Sequence, residues 1–168
     1  MKLDGVVVGA DMRLGAPGRG LALLERVVDA GTVGLCAEML GSMSAAFAMT
    51  LEYLKTRVQF GVPIGSFQAL QHRAARLYVE SELARSAVMF AHDALDGEGG
   101  TARAASAAKA KCSDAFLLVA HEAVQMHGGI GMTEEHDIGL YLKRARVAEM
   151  TFGDAAYHRD RFARVDGF

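Results

Sequence analysis

Proline is almost absent from this chain, and its glycines gather in a few short stretches. The 168 residues include 2 prolines and 19 glycines. A proline inside a helix removes a backbone hydrogen bond and clashes with the preceding turn, so long segments without proline favour long helices. The glycine-rich stretches at 14–20, 60–67, 97–100 and 127–132 then mark the breaks between these helices.

The first two segments between these breaks have the apolar periodicity of helices. One is predicted to run from Leu21 to about Arg57, and the next carries an apolar stripe from Leu70 to Leu95 at alternating spacings of four and three. Glycines inside the first segment, each about 1 kcal/mol less favourable than alanine in a helix, predict that a neighbouring helix or a ligand approaches closely. These glycines are Gly31, Gly34 and Gly41.

Two further segments complete the set of helices. Thr101 is predicted to be the N-cap of a third helix, which ends at the glycines of 127–132. Thr133 is expected to start a fourth helix, because two glutamates follow it and the helix dipole favours negative charge in the first turn. We expect a break at Phe152–Gly153 and a last short helix to about Arg164.

Long helices joined by short glycine loops predict an all-α fold, an up-down four-helix bundle. One short strand is predicted before the bundle, within the β-branched run at residues 6–14.

Charge and cysteine content limit the partners and the compartment. The formal net charge is −2, which argues against nucleic acid or an acidic membrane as the main partner. No uncharged run reaches the roughly 18 residues that span a bilayer, so no membrane span is predicted.

Cys36 and Cys112 lack metal-ligand spacing and lie in alanine-rich stretches. We therefore expect two reduced core residues, no metal site and a cytoplasmic protein.

The most specific stretch of the sequence is TRVQFGVPIGSFQALQHRAA, at residues 56–75. Its residues alone indicate a helix–helix connection with an arginine, an aromatic ring and a glutamine around a proline loop. The pattern resembles the C-terminal domain of the acyl-CoA dehydrogenase family, and AKAKCSDAF at 108–116 and AVQMHGGIGM at 123–132 follow in the family's order. The resemblance covers nearly the whole chain. It is nearest to the small-subunit type of such enzymes, as in pimeloyl-CoA dehydrogenase.

This resemblance implies a domain organisation. Members of the family have an N-terminal helical domain, a middle β-domain and a C-terminal four-helix bundle. Residues 1–19 then correspond to a residual strand and linker of the middle β-domain, and residues 20–168 to the C-terminal bundle. About half or more of a complete subunit is expected to lie outside this chain.

The resemblance also implies a partial flavin site, because the bundle in this family contacts the FAD of the neighbouring subunit. By motif matching, the adenosine and diphosphate part of that FAD contacts Arg57, Gln59, Phe60, Gln68, Gln125, Gly128 and Gly129. An arginine pairs with a diphosphate in a bidentate manner, and glycines let backbone N–H groups approach phosphate oxygens. Phe67 stands where many members have a polar residue, so an apolar contact is expected there.

The same comparison leaves the catalytic base unassigned. Enzymes of the family desaturate acyl-CoA thioesters between the α and β carbons: a carboxylate takes the α-proton while a hydride passes to FAD. The usual base position falls on Phe152, and the alternative position on the first bundle helix falls on Gly31. Neither residue accepts a proton. Asp154 is the nearest substitute, and Asp29 and Glu25 precede Gly31 on the same helix.

The function implied by the resemblance is that of a supporting subunit in an acyl-CoA dehydrogenase, with a partial FAD site and no base of its own. Its expected partners are further dehydrogenase subunits in a homo- or hetero-oligomer, an acyl-CoA substrate and an electron-transfer acceptor. Two alternatives stay open: a competent dehydrogenase that uses an unusual carboxylate such as Asp154, and a flavin-free helical assembly module. Association is also indicated by apolar residues on more than one side of the second helix. They are Val79, Leu83, Val88 and Phe90.

Overall fold

The computed structural model describes residues 2–97 and 100–168, so part of the predicted break at 97–100 lies outside the described residues. Five α-helices account for most of the described chain, and one two-stranded hairpin connects the first two. The helices are α1 (Gly20–Thr56), α2 (Gln68–Asp93), α3 (Thr101–His127), α4 (Ile138–Met150) and α5 (Ala155–Asp166). The antiparallel strands are β1 (Val58–Gln59) and β2 (Val62–Pro63). The predicted all-α four-helix bundle is confirmed, with α5 as the short last helix.

Helix α3 lies at the centre of the bundle and contacts each of the other four helices. Its small residues make this possible, because alanine lets neighbouring helix axes approach closely. All seven apolar positions predicted for its buried face are buried: Ala105, Ala108, Cys112, Ala115, Val119, Ala123 and Met126. Cys36 of α1 and Cys112 are both fully buried free thiols, as expected. Burial and the contact between them hold the pKa of Cys112 far above its ordinary value, so this thiol is unreactive.

The heptad-like stripe predicted for α2 points into the bundle. Leu77, Ser81, Ala84, Val88 and Ala91 are buried, and the two residues that precede them in the stripe are partly buried. The opposite side of α2 carries exposed apolar side chains, which are Tyr78, Val79, Leu83, Met89 and Phe90. Association was predicted from four apolar residues of this helix. Val88 belongs to the core, while Val79, Leu83 and Phe90 are exposed.

Residues 6–14 form no strand, which corrects the expectation for this segment. Its only regular element is a short 3-10 turn at Ala10–Met12, and its three consecutive valines are exposed. A strand is stabilised by hydrogen bonds to a neighbouring strand. In the described residues β1 and β2 pair only with each other, so the N-terminal segment has no strand to pair with.

The starts of α3 and α4 also differ from the expected positions. Gly100, in the left-handed conformation, caps α3, while the Thr101 hydroxyl donates a hydrogen bond to the Ala94 carbonyl across the preceding turn. Helix α4 begins at Ile138 rather than Thr133, because the Thr133 hydroxyl donates to the Ile130 carbonyl and closes a separate turn. Local hydrogen bonds of this kind compete with helix capping.

Of the three glycines inside α1, only Gly31 has a close neighbour. A Cβ atom added there would lie 3.4 Å from the Phe152 ring, whereas nothing lies within 4 Å of such an atom at Gly34 or Gly41. The close approach predicted for these glycines is therefore found at one of the three positions.

Helix α1 is long and apolar enough to cross a membrane, with a mean hydropathy of 1.3 over its most apolar stretch. Among the described residues it is the one helix with this property. A core helix of a soluble protein has the same length and composition. Here α1 packs against α2, α3 and α4, and it contributes Cys36, Met39 and Met43 to the core.

Candidate functional site

A cleft of about 390 Å³ opens where the end of α1, the hairpin and the end of α3 meet. It is lined by Tyr53, Arg57, Gln59, Ile64, Met126, His127, Gly128, Gly129 and Ile130. Four of the seven residues predicted to contact a cofactor are in this set: Arg57, Gln59, Gly128 and Gly129. They come from two motifs about 70 residues apart. The second motif was expected to contact the cofactor from the other end of the bundle, but the fold places both motifs at the same cleft.

The other three predicted cofactor residues lie outside the cleft. Phe60 is at the tip of the hairpin, 92% exposed and with a positive φ of 55°. Gln68 is the first residue of α2, and Gln125 is exposed in the last turn of α3. The Phe60 ring stands edge-on to that of Phe67, with centroids 6.1 Å apart. These three side chains are free to contact something beyond this chain.

The position of Arg57 is determined by the end of α1 and the start of the hairpin. Its backbone N–H donates to the Tyr53 carbonyl at 2.9 Å, and its carbonyl accepts from the Ile64 N–H at 2.8 Å. The close turn needs Gly65, since a Cβ atom there would lie 2.9 Å from the Leu54 carbonyl oxygen. Its guanidinium has no ion-pair partner within residues 2–97 and 100–168. The cleft therefore has an uncompensated positive charge on one wall.

The opposite wall of the cleft is backbone. Gly128 ends α3 with a φ of 65°, a conformation that glycine adopts at no steric cost. No atom lies within 4 Å of a Cβ position at Gly128 or Gly129, so both residues face open space. Gly131 differs, because a Cβ atom there would lie 2.7 Å from the Val124 carbonyl oxygen. Gly131 is thus needed for packing, whereas the preceding pair leaves backbone accessible to a ligand.

Three packed rings, here called the ring stack, lie at the inner end of the cleft, and sequence reasoning missed them. Tyr53 and His127 line the cleft, and His136 packs behind them. The His127 ring is 2% exposed and stacks on Tyr53 at 4.5 Å between centroids, with His136 at 4.5 Å on another side. Burial lowers the pKa of His127 below its ordinary value of 6.5, so the imidazole is neutral at physiological pH. His127 lies within the quoted motif at 123–132, but nothing in the sequence indicated its partners.

The two base positions inferred from the family meet at a second place in the fold. The Phe152 ring lies against Gly31, on the side where α1 faces the turn between α4 and α5. Next to them is a pocket of about 150 Å³. It is lined by Leu21, Leu24, Glu25, Val28, Thr32, Phe152, Tyr157, His158 and Arg161. The Phe152 ring fills the space that a side chain at position 31 would need. The large residue at position 152 therefore requires a small residue at position 31.

The three candidate carboxylates near this pocket have different surroundings. Asp154 is exposed and caps α5, with its carboxylate accepting from the Tyr157 N–H at 2.8 Å. Asp29 is 4% exposed and held by the Arg161 guanidinium through contacts of 2.6 and 3.0 Å. Glu25 is exposed and lines the pocket. Two of the three carboxylates therefore already accept strong hydrogen bonds from the protein.

The turn that carries Phe152 is held by two buried side chains that the sequence did not identify. Phe152 has a φ of 61°, which is rare for a bulky residue. The fully buried Lys109 ammonium donates to the Glu149 carbonyl at 2.9 Å and the Gly153 carbonyl at 2.7 Å. His158 Nε2 lies 3.0 Å from the Phe152 carbonyl and donates to it. Burial lowers the pKa of both Lys109 and His158. Hydrogen bonds to the carbonyls of Glu149, Phe152 and Gly153 offset the backbone strain of this turn.

Comparison with known proteins shows the family of this chain. Residues 18–165 match the family model described as acyl-CoA dehydrogenase, C-terminal domain. Among curated relatives, acyl-CoA dehydrogenase IpdE2 of Mycolicibacterium smegmatis is 43% identical over 90% of this chain and 45% of its own length.

Two solved structures have the same fold. Butyryl-CoA dehydrogenase from Megasphaera elsdenii has a TM-score of 0.89 at 32% identity, over 94% of this chain and 41% of that one. A variant described as the Tcur3481-Tcur3483 steroid ACAD has a TM-score of 0.82 at 35% identity, over 86% of this chain and 40% of that one. The chain spans less than half the length of these relatives. It belongs to the acyl-CoA dehydrogenase family of flavoprotein oxidoreductases, of which it comprises the C-terminal helical domain.

Proposed function

We propose that this chain completes the FAD site of a neighbouring acyl-CoA dehydrogenase subunit and contributes oligomer contacts, without supplying a catalytic base. The observation that carries the proposal is the cleft, where Arg57 and Gln59 face Gly128 and Gly129. The rest of the flavin site is then formed by the helical and β-domains that relatives have and these residues lack.

The donor set of the cleft fits a diphosphate. Arg57 offers two parallel N–H donors and a full positive charge, which match two phosphate oxygens. The Gly128 N–H donates to the Gln125 carbonyl, and because Gly128 and Gly129 have no side chains, a phosphate can approach the backbone of this pair closely. The Gln59 side chain adds a neutral hydrogen-bonding group for the adjoining sugar or phosphate. Phe60 and Gln68 are exposed outside the cleft, and they are proposed to contact the same cofactor there.

FAD, when bound, accepts the hydride from the β carbon of the acyl-CoA. The chain's own residues at the two base positions take no part in removing the α-proton, since Phe152 and Gly31 have no basic atom. Asp29 is neutralised by Arg161, and Asp154 is used as a helix cap. A base must come within hydrogen-bond distance of its proton and be free to accept it. Glu25 is exposed at the rim of the same pocket rather than held toward it. We infer that a carboxylate from another subunit, and not Glu25, serves the reaction.

The exposed side of α2 is the part of the chain best suited to subunit contact. Val79, Leu83 and Phe90 lie at helical spacing on that side, and their side chains are about half exposed. Apolar patches of this kind on a folded domain usually contact another chain. The related steroid enzyme is described by a two-part designation, which supports a hetero-oligomer for this chain as well. The acyl-CoA and the electron-transfer acceptor are then shared by the whole assembly.

The proposal is tested by assaying acyl-CoA oxidation with the protein alone and assembled with a base-bearing partner. We expect turnover only in the assembly, and Asp154→Asn changes that turnover by less than about twofold, because asparagine caps a helix as well as aspartate does. The assay follows reduction of an artificial electron acceptor.

Two outcomes contradict this proposal. Full turnover by the protein alone, abolished by Asp154→Asn, means that Asp154 is an unusual catalytic base. Absence of flavin from the protein both alone and in its oligomer means that the bundle is a flavin-free assembly module.

A further inference from the structure

The two walls of the cofactor cleft are joined by the ring stack rather than by the backbone alone. Tyr53 lies one helical turn before Arg57, and its carbonyl accepts the Arg57 N–H. His127 directly precedes the Gly128–Gly129 pair. Because Tyr53 and His127 stack at 4.5 Å with an angle of 30° between their planes, the stack determines the spacing between the arginine and the glycines.

The His136 ring packs against the His127 ring from another direction. It lies in the turn before α4, and its Nδ1 atom accepts the Ile138 N–H at 3.1 Å. Its ring is 4.5 Å from that of His127 and 6.3 Å from that of Tyr53, measured between centroids. The stack thus links α1, α3 and the start of α4 around one histidine.

The hydrogen bonds of His127 define its protonation state. Its Nδ1 atom lies 2.7 Å from the Ala123 carbonyl, which only accepts, so the proton is on Nδ1. The Nε2 atom is buried and has no hydrogen-bond partner among the described residues. A second proton would therefore sit on an atom with no acceptor.

Most of the surroundings of His127 oppose that second proton, and only the Ala123 carbonyl favours it. Tyr53 on α1 packs on the ring, His136 before α4 disfavours a positive charge on it, and the Arg57 guanidinium lines the same cleft. Burial disfavours the imidazolium further. A charged His127 is thus incompatible with the closed stack.

We propose that His127 is a positioning residue of the cofactor cleft, and that it holds Gly128–Gly129 opposite Arg57 only while its ring is neutral. This inference rests on the proposed function, since it concerns how the same cleft keeps its diphosphate. The sign of the pH effect follows from linkage. The neutral ring is complete above the ordinary imidazole pKa of about 6.5, and the affinity that it supports is lost as the pH falls through the lowered pKa of His127.

The test measures the dissociation constant of FAD from the assembled protein at pH 7.5 and pH 5.5. Wild type is expected to bind FAD more weakly at pH 5.5, with a loss that approaches about tenfold per pH unit once the pH lies below the lowered pKa of His127. His127→Phe keeps a ring in the stack but cannot be charged, so its affinity is expected to vary little with pH. His121→Phe is the matched control, because His121 is an exposed histidine of the same helix, and this variant should behave as wild type.

A second measurement does not depend on any variant. Nitrogen-15 NMR of the histidine rings is expected to show His127 neutral, with its proton on Nδ1, at pH 7.5. A protonated His127 at that pH, an equal loss of FAD in wild type and His127→Phe, or FAD binding that strengthens in acid overturns the inference while leaving the proposed function intact. Failure of every preparation to bind FAD at pH 7.5 overturns both.

Discussion

Replacing Arg57 with glutamine is expected to weaken FAD binding by the assembled protein about 100-fold. The guanidinium is the one full positive charge in the lining of the cleft, and a bidentate pair with a diphosphate contributes about 3 kcal/mol. The variant keeps a side chain of similar length, so the hairpin that starts at this residue is preserved. Titration of the apoprotein with FAD, followed by flavin fluorescence, measures the effect.

Two further substitutions make the Arg57 result specific. Arg57→Lys keeps the charge but loses the forked donor, so we expect an affinity between those of wild type and glutamine. Arg146→Gln removes an exposed arginine of α4 that pairs with Glu149 on its own helix, and it should leave FAD binding unchanged. Equal FAD affinities for wild type and Arg57→Gln are incompatible with a diphosphate in this cleft.

Replacing Arg161 with methionine is expected to lower the free energy of unfolding by about 3–5 kcal/mol. Arg161 on α5 binds the Asp29 carboxylate of α1 through two contacts, and it also donates to the Ser106 hydroxyl of α3 at 3.1 Å. Asp29 and Arg161 are both largely buried, so the variant leaves a buried carboxylate without its partner. Chemical denaturation followed by circular dichroism measures the loss.

Two further variants distinguish the loss of the Asp29–Arg161 ion pair from a general effect of removing charge from α5. The double variant Asp29→Leu with Arg161→Met removes both charges, and it should regain most of the lost stability, since an apolar pair often replaces a buried ion pair without cost. Arg164→Met breaks an exposed pair with Asp160 on the same helix, and we expect less than about 1 kcal/mol. A loss in Arg164→Met as large as in Arg161→Met argues against the buried pair as the cause.

Elements with strong local signals were predictable from the sequence. The stripe of α2 is periodic, and its buried residues are those that the spacing predicted. The break at Phe152–Gly153 and the end of α3 at His127 are marked by glycines with positive φ. The four cleft residues were predicted from the resemblance of their motifs to the family, and the residues alone indicated no more than a helix–helix connection.

Features that depend on contacts between distant segments were not predictable. Arg161 and Asp29 are 132 residues apart, and each alone is typical of a solvated helix face. Lys109 lies in an alanine-rich helix, where a lysine is usually exposed, and its acceptors lie 40 and 44 residues away. The Tyr53–His127–His136 stack likewise joins three segments. At residues 6–14 a local signal was present but the contact was missing. The β-branched residues indicate a strand, and the described residues offer it no neighbouring strand to pair with.

The turn at Phe152 is held in one geometry by buried side chains. Lys109 and His158 hold its carbonyls, Phe152 takes the left-handed conformation, and its ring covers Gly31. A strained turn held by buried hydrogen bonds is costly to maintain for packing alone. We infer that the turn keeps the geometry of a base-bearing loop while the proton is taken elsewhere in the assembly.

The structure of the assembled protein with FAD and an acyl-CoA bound tests the central claim most directly. The measured quantity is the distance from the Arg57 guanidinium to the FAD diphosphate, together with the identity of the carboxylate nearest the acyl α carbon. The account predicts a hydrogen-bonded contact from Arg57 to an FAD held mainly by another subunit, and a carboxylate that another subunit supplies. A diphosphate remote from Arg57, or the Asp154 carboxylate beside the α carbon, would contradict it.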